Sequence, residues 1–95
     1  MYTTLAEVEI EDLARFLSIF ATDGREKREA HGSRGAEVLS AADGSDRVIV
    51  LIDWQDEEAY KRFVSDPSVP QTMARGGAKG RPRFTPVTRV GRFAA

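Results

Sequence analysis

The sequence predicts an α+β fold of element order βαββαβ, a four-stranded antiparallel sheet with both helices on one face, and three observations carry that prediction. Two segments with helical spacing of apolar residues each lie between segments of strand character. Asp43-Gly44-Ser45-Asp46 joins the middle two strands, and Asp-Gly favours the positive φ of a tight hairpin. Arg47 to Trp54 is apolar on both faces, as a strand at the centre of a sheet would be. Such an order fits a split βαβ sandwich whose first and third strands are central and whose second and fourth are edges. The 95 residues suffice for one domain, expected to span 1–95.

Taken in order, Thr4 to Ile10 alternates as a strand does, with Ala6, Val8 and Ile10 on one face and Glu7 and Glu9 on the other. Asp12 is placed to cap a helix in which Leu13, Phe16, Leu17 and Phe20 form one apolar stripe suited to lie on a sheet. Gly24 is expected to weaken or bend this helix, with Arg25 to Ala30 continuing it as a charged, exposed turn or two. His31 to Gly35 reads as a loop, and Ala36 to Ala41 as a short second strand. Arg47 to Trp54 is the third strand. Asp56, Glu57 and Glu58 open the second helix with acidic residues where the helix dipole favours them. Ala59, Tyr60, Phe63 and Val64 supply its apolar side, and Asp66-Pro67 stops it. Val69 to Arg75 forms a short extra helix with Pro70 near its start. Gly76 to Pro82 reads as a flexible loop. Arg83 to Phe93 closes the chain as an edge strand, because Pro86 donates no ladder hydrogen bond.

Within the third strand Val48, Val50, Ile52 and Trp54 share one face, while Ile49 and Leu51 share the other with only Asp53 polar. Leaving Ile49 and Leu51 in water forfeits about 1.5–3 kcal/mol each. In so short a chain a second copy of the same sheet covers them, so a homodimer is expected. The alternative is a face kept wet by Glu7 and Glu9 of the first strand. If the Trp54 face is the helix side, Ile49 and Leu51 make the dimer contact and Trp54 sits at the mouth of a pocket.

Composition excludes several chemistries. There is no cysteine for a disulfide or a catalytic thiolate, and a single histidine, His31, rules out a His-rich metal site. No stretch approaches the roughly 18 apolar residues of a membrane span. Met1 to Thr4 lacks the basic-then-apolar start of a signal peptide, so a cytoplasmic protein is expected. The net charge of −1 hides an asymmetry: residues 1–60 carry 14 acidic and six basic side chains, and residues 61–95 carry one and eight. A basic tail attracts anionic ligands or nucleic acid, or else interleaves with the acidic half in the fold. No aromatic-interleaved basic stripe accompanies it, so no nucleic-acid partner is expected.

The βαββαβ order, the run VIVLIDW followed by DEEAYKRFVSDP, and the later ARGGAKGRP resemble the dimeric α/β-barrel proteins of the antibiotic biosynthesis monooxygenase-like type. The resemblance spans essentially the whole chain. It implies a ferredoxin-like sandwich that dimerises by packing two sheets together, with a hydrophobic, often aromatic, ligand held between sheet and helices. The activities it implies include cofactor-independent oxygenation of aromatic polyketides, polyketide cyclisation, haem degradation and plain effector binding. From it we expect a monooxygenase or cyclase-like protein acting on a hydrophobic aromatic small molecule without a bound cofactor, or alternatively a non-catalytic binding or accessory module. Oxygenases and haem-degrading members of the type use an asparagine beside a tryptophan in the pocket. Trp54 matches that tryptophan, but the sequence contains no asparagine. The haem-degrading members carry a histidine on the second helix, whereas His31 precedes the second strand, so haem work is not expected.

Seven residues are singled out as candidates. His31 titrates nearest neutrality and suits a general acid or base, though in a polar loop it equally reads as a solvated surface residue. Tyr60 offers a phenol one turn into the second helix, or a boundary side chain with a buried ring and a wet tip. Trp54 offers a pocket wall with an N–H donor, or simply core at the strand-to-helix junction. Phe16, Phe20 and Met73 are placed to line a cavity and at helical spacing also read as core. Arg75, with Lys79, Arg81 and Arg83, surrounds the glycine-rich segment and could clamp a carboxylate or phosphate. That segment is not a P-loop, because the Gly-x4-Gly-Lys-Ser/Thr spacing is absent. Asp53 and Asp56 read as capping residues rather than a catalytic pair.

Overall fold

A computed structural model describes all residues, 1–95, as four strands and four helices. In chain order these are β1 (Tyr2–Ile10), α1 (Leu13–Ala21), α2 (Asp23–Ala30), β2 (Ser33–Ser40), β3 (Arg47–Trp54), α3 (Glu57–Ser65), α4 (Ser68–Arg75) and β4 (Ala78–Val87). The sheet runs β2-β3-β1-β4 with every pairing antiparallel. The first and third strands are therefore central, as the sequence predicts, and the fold is the α+β ferredoxin-like sandwich.

Local chemistry explains where the elements begin. Asp12 caps α1 by accepting from the Arg15 N–H at 3.0 Å, and Asp56 caps α3 by accepting from the Ala59 N–H at 2.8 Å. The helical stretch after β1 breaks at Thr22 rather than bending at Gly24. Thr22 leaves the helical region at φ −114, ψ −90, and its hydroxyl donates back to the Ser18 carbonyl at 2.8 Å. Gly24 serves packing instead, since a Cβ there would lie 3.1 Å from Arg28 Nη1.

The last strand departs from the sequence expectation most. Ala78 to Pro82, read as loop, is strand, and regular pairing stops at Val87 rather than Phe93. The pairing with β1 slips between Glu7, opposite Arg83, and Glu9, opposite Lys79. Gly80 at φ +80 supplies the bulge that absorbs the slip. An edge position tolerates Pro82 and Pro86, whose missing N–H groups need no partner on the outer side.

The helices cover one face. There Ala6, Val8 and Ile10 of β1 join Val48, Val50, Ile52 and Trp54 of β3 in one buried cluster with Phe16, Ala59, Phe63 and Val69 from the helices. Of the apolar stripe on α1 only Phe16 is fully buried, while Leu13 and Leu17 each remain 41% exposed. On the opposite face Leu51 faces Leu5 across β3 and β1, and Ile49 faces Leu39 across β3 and β2. Leu5, Ile49 and Leu51 are half-buried within the single chain and Leu39 is 47% exposed. At one end of this face Asp53 Oδ1 accepts from Thr3 Oγ1 and from Arg89 Nη1, both at 2.7 Å. Those contacts hold the Asp53 carboxyl below the usual carboxylate range, Arg89 first among them. No helix is long and apolar enough to cross a membrane.

Candidate functional site

The core does not fill the space between helices and sheet. A cavity of about 70 Å³ remains, lined by 16 residues of which 11 are hydrophobic. One water needs only roughly 10–15 Å³ on a comparable measure, so the space admits part of a ring rather than a packing defect. Apolar walls make water there unfavourable and favour an apolar occupant. The sheet contributes Ala6, Val8, Val50 and Ile52 as floor; the helices contribute Phe16, Phe20, Phe63 and Met73 among others as roof. Beside it runs an open groove of about 580 Å³ between α3, α4 and β4. Cavity and groove share Phe63, Val69, Met73, Ala78, Pro82 and Phe84 as a common wall, so the two adjoin.

Three sequence candidates, Phe16, Phe20 and Met73, line the cavity. Phe16 and Phe20 stack with centroids 5.5 Å apart. Tyr60 lines the outer groove rather than the cavity, with its ring 5.7 Å from those of Phe84 and Tyr2. Burial, and then Tyr2, push its phenol pKa up, so Tyr60 stays protonated at neutral pH.

The remaining candidates lie elsewhere, each for a definite reason. Trp54 is not at a pocket mouth: it is 0% exposed and lines neither cavity nor groove. Its indole N–H donates to Thr4 Oγ1 at 3.0 Å, and its ring lies 4.8 Å from that of Phe63. It is the keystone of the core beneath α3. His31 follows α2 and lies outside the cavity, where Nε2–H donates to Asp66 Oδ2 at 2.9 Å. Arg75 turns away to pair with Asp23 at 3.0 Å, tying α4 to the start of α2. No cluster of three or more His, Cys, Asp or Glu side chains is arranged to hold a metal ion.

The His31–Asp66 contact is a structural tie between the end of α2 and the α3–α4 corner. Asp66 also accepts from the backbone N–H and hydroxyl of Ser68, at 2.8 and 2.7 Å. His31 and then Ser68 hold its carboxyl far below the usual carboxylate range. A carboxylate depressed in the folded state contributes stability in full above its unfolded pKa of about 3.9 and loses it as pH falls below that value. Asp66→Asn should therefore flatten the fall of Tm between about pH 5 and pH 2. Thermal scans across that range check this, and an unchanged slope would mean that other carboxylates govern the acid limb.

Lys27, Arg28 and Thr72 also line the cavity and were not singled out from the sequence. Arg28 sits in a run that reads as exposed charge, yet only 9% of it is accessible. The available signal was Gly24 four residues earlier, which leaves room for a long side chain on the same helical face.

The sequence profile described as antibiotic biosynthesis monooxygenase matches residues 1–75. Among solved structures, SnoaB, a cofactor-independent oxygenase from Streptomyces nogalater, superposes with a TM-score of 0.74 at 15% identity, covering 99% of this chain and 97% of its own. SnoaB has also been solved as an asparagine-to-alanine variant. A dimeric ferredoxin-like protein from an uncultured marine organism gives a TM-score of 0.62 at 7% identity, covering 100% of both chains. A conserved protein from Methanosarcina mazei Go1 gives 0.66 at 10%, covering 90% and 89%. At these identities the structural likeness is one of fold. No curated protein matches the sequence.

Proposed function

This chain belongs to the antibiotic biosynthesis monooxygenase family, and from that premise we propose that it oxygenates or cyclises a hydrophobic aromatic small molecule without a bound cofactor. The observation that carries the reading is the apolar interior cavity with the groove adjoining it beside β4, walled by Phe16, Phe20, Phe63, Met73 and Phe84. Aromatic and thioether walls favour a flat apolar ligand and strip it of water. In this reading the edge of the ligand's inner ring enters the cavity and its outer part lies in the groove. Tyr60 at the groove, held protonated, donates a hydrogen bond or proton to an oxygen of the substrate. The protein supplies orientation and desolvation; an electron-rich phenol supplies all four electrons. One oxygen atom of dioxygen replaces a ring C–H to give a quinone, while the second leaves as water with the hydrogens of that C–H and of the phenol O–H.

A homodimer completes the proposal. Leu5, Leu39, Ile49 and Leu51 form an apolar strip on the face away from the helices, rimmed by Glu7, Glu37 and Arg83. A two-fold contact between two such faces covers it. A neighbour of the same fold described as dimeric supports a dimer, and the contact face is argued from the apolar strip alone.

One observation favours a second reading, a non-catalytic binding module: no histidine or carboxylate lines the cavity. Two measurements separate the readings. A thermal-shift screen with 1-naphthol and larger polycyclic phenols should raise Tm, because a ligand bound only to the folded state stabilises it. Oxygen uptake with the binders should then be detectable and should drop by about 10²-fold in Tyr60→Phe, within the range of lost acid–base assistance. A Tm rise with no oxygen uptake and no cyclised product would support the binding module. No Tm rise with any aromatic would overturn both.

A further inference from the structure

Arg28 is a buried cation without a counter-ion. Only 9% of the residue is accessible, and no carboxylate lies within 4.0 Å of its guanidinium. Its Nη1 donates to the Phe20 carbonyl at 3.0 Å, and its Cζ lies 3.7 Å over the Phe20 ring. Burial lowers its pKa to about 10, a loss that neighbouring Glu29 only partly offsets. Glu29 is itself engaged, accepting from Arg25 Nε at 2.6 Å. Buried charges are ordinarily paired, and this one is not.

A guanidinium carries five N–H donors, and the chain provides an acceptor only at Nη1. No fully buried side-chain nitrogen is left without a partner, so the other two nitrogens of Arg28 reach solvent. They do so away from the interior cavity, whose exposed lining atoms are apolar. The opening they meet is a separate groove of about 310 Å³ between the second half of α2 and the start of β2. Arg25, Arg28 and Arg34 line it against a single acid, Glu29, together with Ser33 and the backbone at Gly35. Like Arg28, Arg34 has no carboxylate within 4.0 Å. Two unpaired guanidinium groups thus share one concave site, and one of them is held rigid by Phe20 and by the space above Gly24.

We propose that this groove binds an oxyanion, a carboxylate or a phosphate group, between Arg28 and Arg34. Guanidinium forks match both groups by paired N–H···O bonds, and Arg28, already partly desolvated, gives up less hydration on binding than an exposed side chain. The site shares only the Phe20–Arg28 wall with the aromatic cavity, and it stands whether or not that cavity is catalytic.

The test is an NMR titration of the full chain with inorganic phosphate and with acetate, each against chloride at matched ionic strength. Saturable shifts are expected at the amides of Ser33 to Ala36 and at the Nε–H groups of Arg28 and Arg34. The tighter of the two anions identifies the group the site takes. Arg34→Gln, an exposed change that leaves the core intact, should weaken binding by about tenfold or more, as loss of a charged hydrogen bond does. Arg28→Lys should weaken it similarly, because a point charge does not reproduce the fork. Shifts that match those of chloride, or that persist undiminished in Arg34→Gln, would overturn the proposal.

Discussion

Trp54→Ala should destabilise the folded chain by about 3–5 kcal/mol, the range for deleting a large buried aromatic. The side chain is fully enclosed and touches the rings of Tyr60 and Phe63. Its removal opens a cavity at the point where β3 hands over to α3. It also leaves the Thr4 hydroxyl, 0% exposed, without the donor that now reaches it at 3.0 Å. Domains of this size hold roughly 5–15 kcal/mol in total, so the variant should be marginal at 37 °C. Urea unfolding followed by circular dichroism measures the loss. Trp54→Phe isolates the polar part, with an expected cost of about 1–3 kcal/mol from the orphaned hydroxyl. A loss below about 1 kcal/mol for Trp54→Ala would mean that the indole is not the centre of this core.

Leu51→Lys should convert a dimer to a monomer while leaving the chain folded. Leu51 lies on the face away from the helices, opposite Leu5 on one side and Glu37 on the other. In a single chain the introduced ammonium group would sit well there, beside the Glu37 carboxylate. In a two-fold contact the same change buries two lysines in an apolar strip, at a cost counted once per subunit. Sedimentation at micromolar concentration should show the mass halving, with the far-ultraviolet spectrum retained. A parent chain that already sediments as a monomer, or a variant that remains dimeric, would remove the two-fold contact from the account.

How much of this was legible depends on how far each residue looks for its partner. β3 was readable to the residue, because a Val/Ile-rich run is bounded by a turn before it and a capping Asp after it. α3 and α4 were readable for similar local reasons. β4 was not, since its glycines and prolines signal a loop, and only pairing along β1 with a bulge at Gly80 makes them strand. Within the site, Phe16, Phe20 and Met73 reached the cavity because helical spacing already placed them on the sheet side. The side chains chosen for their chemistry were captured by partners far along the chain. Trp54 found Thr4, 50 residues away; His31 found Asp66, 35 away; Arg75 found Asp23, 52 away. No local pattern encodes such pairings. Arg28 was hidden in the opposite sense, by charged neighbours that made a buried position look exposed.

An aromatic ligand bound beneath the helices would lie against the Met73 and Val69 side chains. Both residues line the cavity and the groove, so their methyl groups report on it by NMR while 1-naphthol is added. Ring-current shifts should appear at both methyls and saturate with ligand, and those at Val69 should weaken when Met73→Ala alters the wall. Methyls that do not move while only exposed residues respond would mean that no aromatic ligand enters this space.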